Sequence, residues 1–181
     1  VDALLMCGGR GSRLDAAVEK PLFEVGGVPM VDAVRRALAE SRVETVHAVV
    51  SPQAPDTHDH LCGELPCIAT PGDGYVADLG VALEQVDEPV VTVAADLPLL
   101  ASETVDRVLD AADGATSVVV PRALKEQLGV APDYDRAWVP AGLNVVAPGE
   151  DSLVRSWDAR LAVNVNRKRD AAVAERLFHE S

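Results

Sequence analysis

Lysine is scarce in this chain: Lys20, Lys125 and Lys168 are the only three among 181 residues, and 16 basic side chains face 29 acidic ones. The formal net charge is -13. So little positive charge argues against nucleic-acid binding, which needs basic surface to replace the counterions around phosphates. Long apolar runs are also missing. The longest are strand-sized, well short of the roughly 20 residues that cross a bilayer, so no membrane span is expected. The opening VDALLMCGG lacks the basic segment of a secretory signal, which leads us to expect a cytoplasmic chain whose initiator methionine lies outside the numbering.

Cysteine is sparse and odd in number. Cys7, Cys62 and Cys67 give no framework of paired spacings and are expected to be reduced thiols. The segment HDHLCGELPC places His58, His60, Cys62 and Cys67 close together, four borderline ligands for zinc. Their spacing matches no common zinc module, and an exposed acidic loop with a short helix is the simpler reading.

What the chain does have is arginine, 13 of the 16 basic residues, and a large acidic excess. Such an excess maintains solubility at a cost in self-repulsion, a device associated with halophiles, because at about 1 M salt the Debye length shrinks to roughly 3 Å. A salt-rich cytoplasm is therefore expected. With 48% hydrophobic residues the chain can bury a full core. It carries no internal repeat, low-complexity tract or linker, so residues 1–181 are read as a single domain.

Valine- and alanine-rich runs alternate with segments of helical period, the signature of an α/β protein with a mostly parallel central sheet flanked by helices. Strands are expected near 2–7, 45–51, 90–95, 116–120 and 139–147, with shorter extended pieces near 22–25 and 161–165. Apolar stripes mark four helices: Met30, Val34, Ala37 and Leu38; Val76, Leu79, Leu83 and Val86; Val105, Val108, Leu109 and Ala112, with Ser102 as N-cap; and Ala171, Ala174, Leu177 and Phe178. These stripes are read as core. The stretch 122–136 is the least regular, either an insertion beside the sheet or a loop over a substrate.

The segment LLMCGGRGSRL, residues 4–14, runs an apolar strand into Gly8, Gly9 and Gly11 with Arg10 and Arg13 interleaved. Glycines let a backbone approach a ligand and present its N–H groups, and loops of this kind hold phosphates. No Gly-Lys-Ser/Thr follows, so it is not a P-loop, and Leu14 stands where the dinucleotide fingerprint needs its third glycine. A glycine turn with solvated arginines is the plainer alternative. Lys20, in EKPL, offers a point charge for phosphate or is a solvated surface lysine. VVTVAADLP runs a strand into Asp96. At the carboxyl edge of a parallel sheet, Asp96 would hold Mg²⁺ beside the glycine loop, or simply begin a turn. Asn164 and Asn166, alternate residues in AVNVNRKRD, share one side of an extended segment, either as metal or phosphate-water ligands or as a strand end.

GGRGSRL, EKPL, ADLP and NVNRKRD, in this order and spacing, resemble the nucleotidyltransferase superfamily that includes molybdenum-cofactor guanylyltransferases and sugar-phosphate nucleotidyltransferases. TPGDGYVADL at 70–79 and VPAGLNVVAP at 139–148 look most like its archaeal GTP:adenosylcobinamide-phosphate guanylyltransferases. The resemblance implies a Rossmann-like fold, with nucleotide over residues 1–100 and acceptor over 100–181. It implies that Gly8, Gly9, Arg10, Gly11 and Arg13 hold the triphosphate, that Lys20 meets phosphate oxygens, and that Asp96 binds Mg²⁺ with Asn166 as its partner. Ser51, Gly74 and Tyr75 would lie near guanine or ribose, and Ala141, Gly142 and Asn144 would border the acceptor phosphate. Two positions depart from the pattern: Cys7, where relatives often have alanine, and Asp15, where many have glycine.

The implied reaction transfers GMP from GTP to adenosylcobinamide phosphate. A phosphate monoester has a second pKa of about 6, so the nucleophile is already a dianion and no strong base is required. Catalysis would come from positioning two anionic groups and neutralising their charge, with Lys20, Arg13 and Asp96 as the catalytic residues. The rivals are a molybdopterin or sugar-1-phosphate nucleotidyltransferase and a nucleotide-binding regulator without chemistry. Oligomeric state is not legible in the sequence.

Overall fold

The computed structural model describes residues 1–9, 11 and 13–180; Arg10, one of the expected phosphate ligands, lies outside the described residues. Seven strands form one sheet in the order β5-β4-β1-β6-β8-β7-β9. They are β1 (Asp2–Met6), β4 (Val46–Val50), β5 (Cys67–Ala69), β6 (Val90–Ala94), β7 (Thr116–Pro121), β8 (Trp138–Val146) and β9 (Ser152–Arg155). β8 runs antiparallel to both its neighbours and the other pairs are parallel. A two-stranded ribbon, β2 (Glu24–Val25) and β3 (Val28–Pro29), stands apart.

Alternation along the central strands explains the layers. Ala3, Leu5 and Cys7 on β1 and just beyond it face one way, where they pack with Val31, Val34 and Leu38 of α1 (Met30–Ala39) and Val105 and Val108 of α4 (Ser102–Ala111). Leu4 and Met6 face the other way, onto Leu79, Ala82 and Leu83 of α3 (Tyr75–Leu83). Period-two strands buried on both faces read as continuous apolar runs, as the central strands here do. A third cluster joins Leu14, Val25 and Met30 to Ala171, Val173 and Ala174 of α7 (Lys168–Glu180), tying the C-terminal helix to the chain that follows the glycine loop.

Five strands fall where the sequence pattern placed them, within a residue or so. The short β5 and β9 carry too few residues to show a period and were not anticipated. Residues 161–165 form no strand. Asp158 accepts a hydrogen bond from the Arg160 N–H and caps α6 (Ala159–Ala162), and beyond the helix the Val165 N–H bonds to Asp96 O at 2.9 Å. The irregular stretch opens with a helix, α5 (Arg122–Leu128), ended by Gly129 in a left-handed conformation. Ala101 rather than Ser102 holds the N-cap of α4. On α3, Val76 is exposed and Asp78 is buried, the reverse of the expected stripe.

The expectation of three reduced thiols is corrected by a Cys62–Cys67 disulfide. α2 (Pro55–Leu61) ends at Cys62, and the turn back into β5 brings the two Cα atoms to 5.5 Å, within disulfide range. The paired sulfurs leave no thiolate for zinc, and His60 instead bonds to the Asp32 carboxylate at 3.0 Å. Cys7 is free and buried, and burial pushes its thiol pKa up to about 12. Among the described residues no helix is long and apolar enough to cross a membrane.

Candidate active site

β1 leads outward to β4 and β5, and the chain then returns to β6 on the other side of β1. The strand order therefore reverses between β1 and β6, and ligand crevices form beyond the carboxyl ends of strands at such a reversal. A cavity of about 830 Å³ opens there. Gly8 and Gly9, after β1, line one side, and Ala95 and Asp96, after β6, form the floor.

Lys20 reaches the floor from a single 3-10 turn, Lys20–Leu22. Its Nζ donates to Asp96 Oδ2 and to Asn166 Oδ1, each at 2.6 Å, with Lys20 and Asp96 both more than four-fifths buried. Two features bring it there. Gly11 has φ +57°, and a Cβ at that position would fall 2.6 Å from Lys20 Cβ, so the loop can pass this closely only as glycine. On the other side, the Glu19 carboxylate accepts from the N–H groups of Asp56 and Thr57 and from the Thr57 hydroxyl, at 2.6 to 2.9 Å. Glu19 thereby caps α2 and anchors the start of the turn that carries Lys20. Partial burial works to raise the Glu19 pKa, but these hydrogen bonds outweigh it and hold the carboxyl below its ordinary value.

Asp133, from the irregular stretch, also enters the site. Its Oδ1 accepts from Arg13 Nη1 at 2.7 Å and Arg167 Nη2 at 3.0 Å, and its Oδ2 accepts from Asn166 Nδ2 at 2.9 Å. Asn166 thus points its amide oxygen at Lys20 and its amide nitrogen at Asp133. Lys125 lies buried behind the wall, where Nζ donates to Ala162 O at 2.9 Å and to Asn164 Oδ1. Burial lowers its pKa below the ordinary lysine value, and the carboxylates of Asp96, Asp133 and Asp170 oppose that shift.

The far wall belongs to β8. Between Ser117 and Val119 the β7–β8 register shifts, so β8 carries extra residues at the stretch holding Ala141 and Gly142. β8 pairs with β6 only as far as Leu143, and Pro140, Ala141 and Gly142 line the cavity beyond that point. Bulges commonly re-aim a strand beside a functional site. Gly142 has φ +81°, and a side chain there would press on Ala94.

Of the residues singled out from sequence, Gly8, Gly9, Arg13, Lys20, Gly74, Tyr75, Asp96, Ala141, Gly142, Asn144 and Asn166 all line the cavity, as does Asn164. Gly11, in the same loop, lies against Lys20. Ser51 does not line it; it sits behind Gly72, with its hydroxyl buried and without a hydrogen-bond partner among the described residues. Gln53, Gly72, Asp73, Asp78 and Asp133 line the cavity without having been picked out. A carboxylate interrupting an apolar helical run was the available signal for Asp78. No sequence signal marked Asp133, whose position depends on the path of the loop.

A glycine loop facing a cation-carboxylate pair, with room for a second ligand against β8, suits the joining of a nucleotide to another phosphorylated molecule; the fold and cleft are those of a nucleotidyltransferase. Residues 3–173 match the MobA-like NTP transferase domain, and the chain belongs to that family. The adenosylcobinamide-phosphate guanylyltransferase of Methanocaldococcus jannaschii is 31% identical over 198 residues, covering 98% of this chain and 97% of that one. The bifunctional protein GlmU of Maricaulis maris is 32% identical over 186 residues, and the chain spans 39% of its length. A solved nucleotidyl transferase from Methanothermobacter thermautotroptrophicus superposes with a TM-score of 0.75 over 99% of this chain and 97% of that one, at 19% identity, and so speaks to the Rossmann-like fold alone.

Proposed function

We propose that the protein transfers GMP from GTP to the phosphate of adenosylcobinamide phosphate, giving adenosylcobinamide-GDP and pyrophosphate. The observation that carries this reading is the division of one cleft into two walls, the glycine loop and α3 on one side and the β8 bulge on the other, with Lys20, Asp96 and Asn166 between them. Near full-length similarity to a guanylyltransferase of that name supports the choice of acceptor.

Gly8, Gly9 and Arg13 bind the triphosphate, with Arg10 of the same loop. Arg13 is more than half exposed, and among the described residues its guanidinium is held by Asp133 alone, so phosphate can take the place of that carboxylate. Lys20 neutralises charge as the acceptor phosphate approaches the α-phosphorus, where two anionic groups must otherwise be forced together. Ala141, Gly142 and Asn144 border the acceptor.

The donor set fits Mg²⁺. Asp96 and Asn166 aim two hard oxygens at one point, now filled by the Lys20 ammonium, and among the described residues no cluster of three His, Cys, Asp or Glu side chains suggests another metal. When bound, Mg²⁺ would supply Lewis-acid stabilisation of phosphate charge. Asp96 and Asn166 would hold it, together with substrate phosphates.

The acidic surface supports a salt-rich cytoplasm as the working environment. Chromatography and mass analysis of a reaction containing GTP and adenosylcobinamide phosphate tests the reading. Formation of adenosylcobinamide-GDP supports it. Transfer only to a molybdopterin or sugar-1-phosphate acceptor, or nucleotide binding without transfer, overturns it.

A further inference from the structure

One carboxylate in the cleft has no part in the phosphate chemistry. Asp78, on the first turn of α3, is buried to 3% exposure yet lines the cavity. Its Oδ1 is committed, accepting the Gly72 N–H at 2.9 Å, which fixes the orientation of the group. Its Oδ2 points at the start of the glycine loop, 3.2 Å from where a Gly8 Cβ would lie, and has no hydrogen-bond partner among the described residues. It belongs to the same helix start as Gly74 and Tyr75, which also line the cavity. An acceptor held in one orientation at a cavity wall is matched by ligands that donate to it, and a site built around such a group rejects ligands that cannot.

The four common nucleobases differ in what they would offer. Guanine presents two adjacent donors, N1–H and the 2-amino group. Adenine and cytosine each place an acceptor nitrogen beside their amino group, and uracil flanks its one N–H with two carbonyl oxygens. Only guanine matches a lone carboxylate oxygen without also bringing an acceptor against it. Resting on the guanylyltransferase reading, we infer that Asp78 is the residue that selects guanine, its Oδ2 accepting from the N1–H and 2-amino edge of the base while Gly72 holds the carboxylate in place.

Base selection can be read by equilibrium binding, without any acceptor present. Calorimetric titration of GTP, ITP, XTP and ATP in Mg²⁺ compares wild-type protein with Asp78→Asn, whose fold is checked by its melting curve. ITP lacks the 2-amino group, and XTP carries a carbonyl oxygen in its place. Wild type should bind GTP about 10-fold or more tighter than ITP, the size of one hydrogen bond to a charged group. The variant should bring GTP and ITP to within about twofold and should gain affinity for XTP, whose carbonyl can accept from the new amide. A purely structural role for Asp78 would not produce that gain.

Equal wild-type affinity for GTP and ITP overturns the inference without reference to any variant, as does a folded Asp78→Asn protein that keeps the wild-type preference. Equal affinity for all four nucleotides overturns the guanine reading as well. A preference for GTP over both ITP and ATP that persists in the variant leaves the guanylyltransferase reading standing and removes Asp78 from it.

Discussion

The ammonium of Lys20 and the carboxylate of Asp96, 76 positions apart in the chain, meet at 2.6 Å on the floor of the cleft. One arrives on a turn fixed by Glu19 and Gly11, the other at the end of β6. Asp96→Asn and Lys20→Ala should each lower pyrophosphate release by about 100-fold or more, the usual effect of removing one group aimed at developing charge. Melting temperatures should move little. A folded variant with near-normal turnover would show that the pair is not the centre of the chemistry.

Gly11→Ala tests whether the loop sets the position of Lys20. The substitution places a methyl group in contact with Lys20 Cβ and forces alanine into a left-handed conformation that costs about 1 to 2 kcal/mol. Turnover should fall further than that stability loss explains, because Lys20 must move. Loss of stability with kcat unchanged would make Gly11 a matter of folding alone.

Glu19 gives a pH dependence with a definite sign. Its folded pKa lies below the ordinary 4.5, so its contribution to stability is present above that value and is lost as pH falls through the folded pKa. Glu19→Ala should cost about 1 kcal/mol near neutral pH, the worth of a helix cap. Urea unfolding at pH 7 and at pH 3 should show the difference between wild type and variant shrinking at the lower pH. An undiminished difference at pH 3 would contradict the capping role.

The cysteines differ in accessibility. Native protein kept free of reductant should show no reactive thiol at pH 8, because Cys7 is buried with its pKa near 12 and the other two are paired. Denaturation without reductant should release one thiol, and denaturation with reductant all three. Three thiols on denaturation without reductant would show that Cys62 and Cys67 are not joined.

The charge of -13 should make stability rise with KCl, as screening relieves self-repulsion. Melting curves from dilute buffer to several molar KCl measure this directly. Equal or greater stability in dilute buffer would remove the argument for a salt-rich environment.

Much of this architecture is legible in the sequence because it depends on local pattern. The strands that feed the site are apolar runs ending in Gly8 and Asp96, and the pattern alone puts both at one sheet edge. Val76 and Asp78 show where pattern gives out. Hydrophobicity would bury the valine, but the cavity lies over the first turn of α3, and there the carboxylate turns inward. Asp15 bridges the two levels: its φ of +49° explains why glycine would suit that position, and aspartate is among the few other residues that adopt it readily. Asp133 and the Cys62–Cys67 pair depend on how loops return through space, which no periodicity encodes.

Pyrophosphate release in high KCl and Mg²⁺, measured with each of the four nucleoside triphosphates in the presence and absence of adenosylcobinamide phosphate, tests the central claim most directly. Release is expected with GTP and the acceptor together, and little with any other combination. Release that ignores the acceptor, or that proceeds equally well with ATP, CTP or UTP, would contradict it.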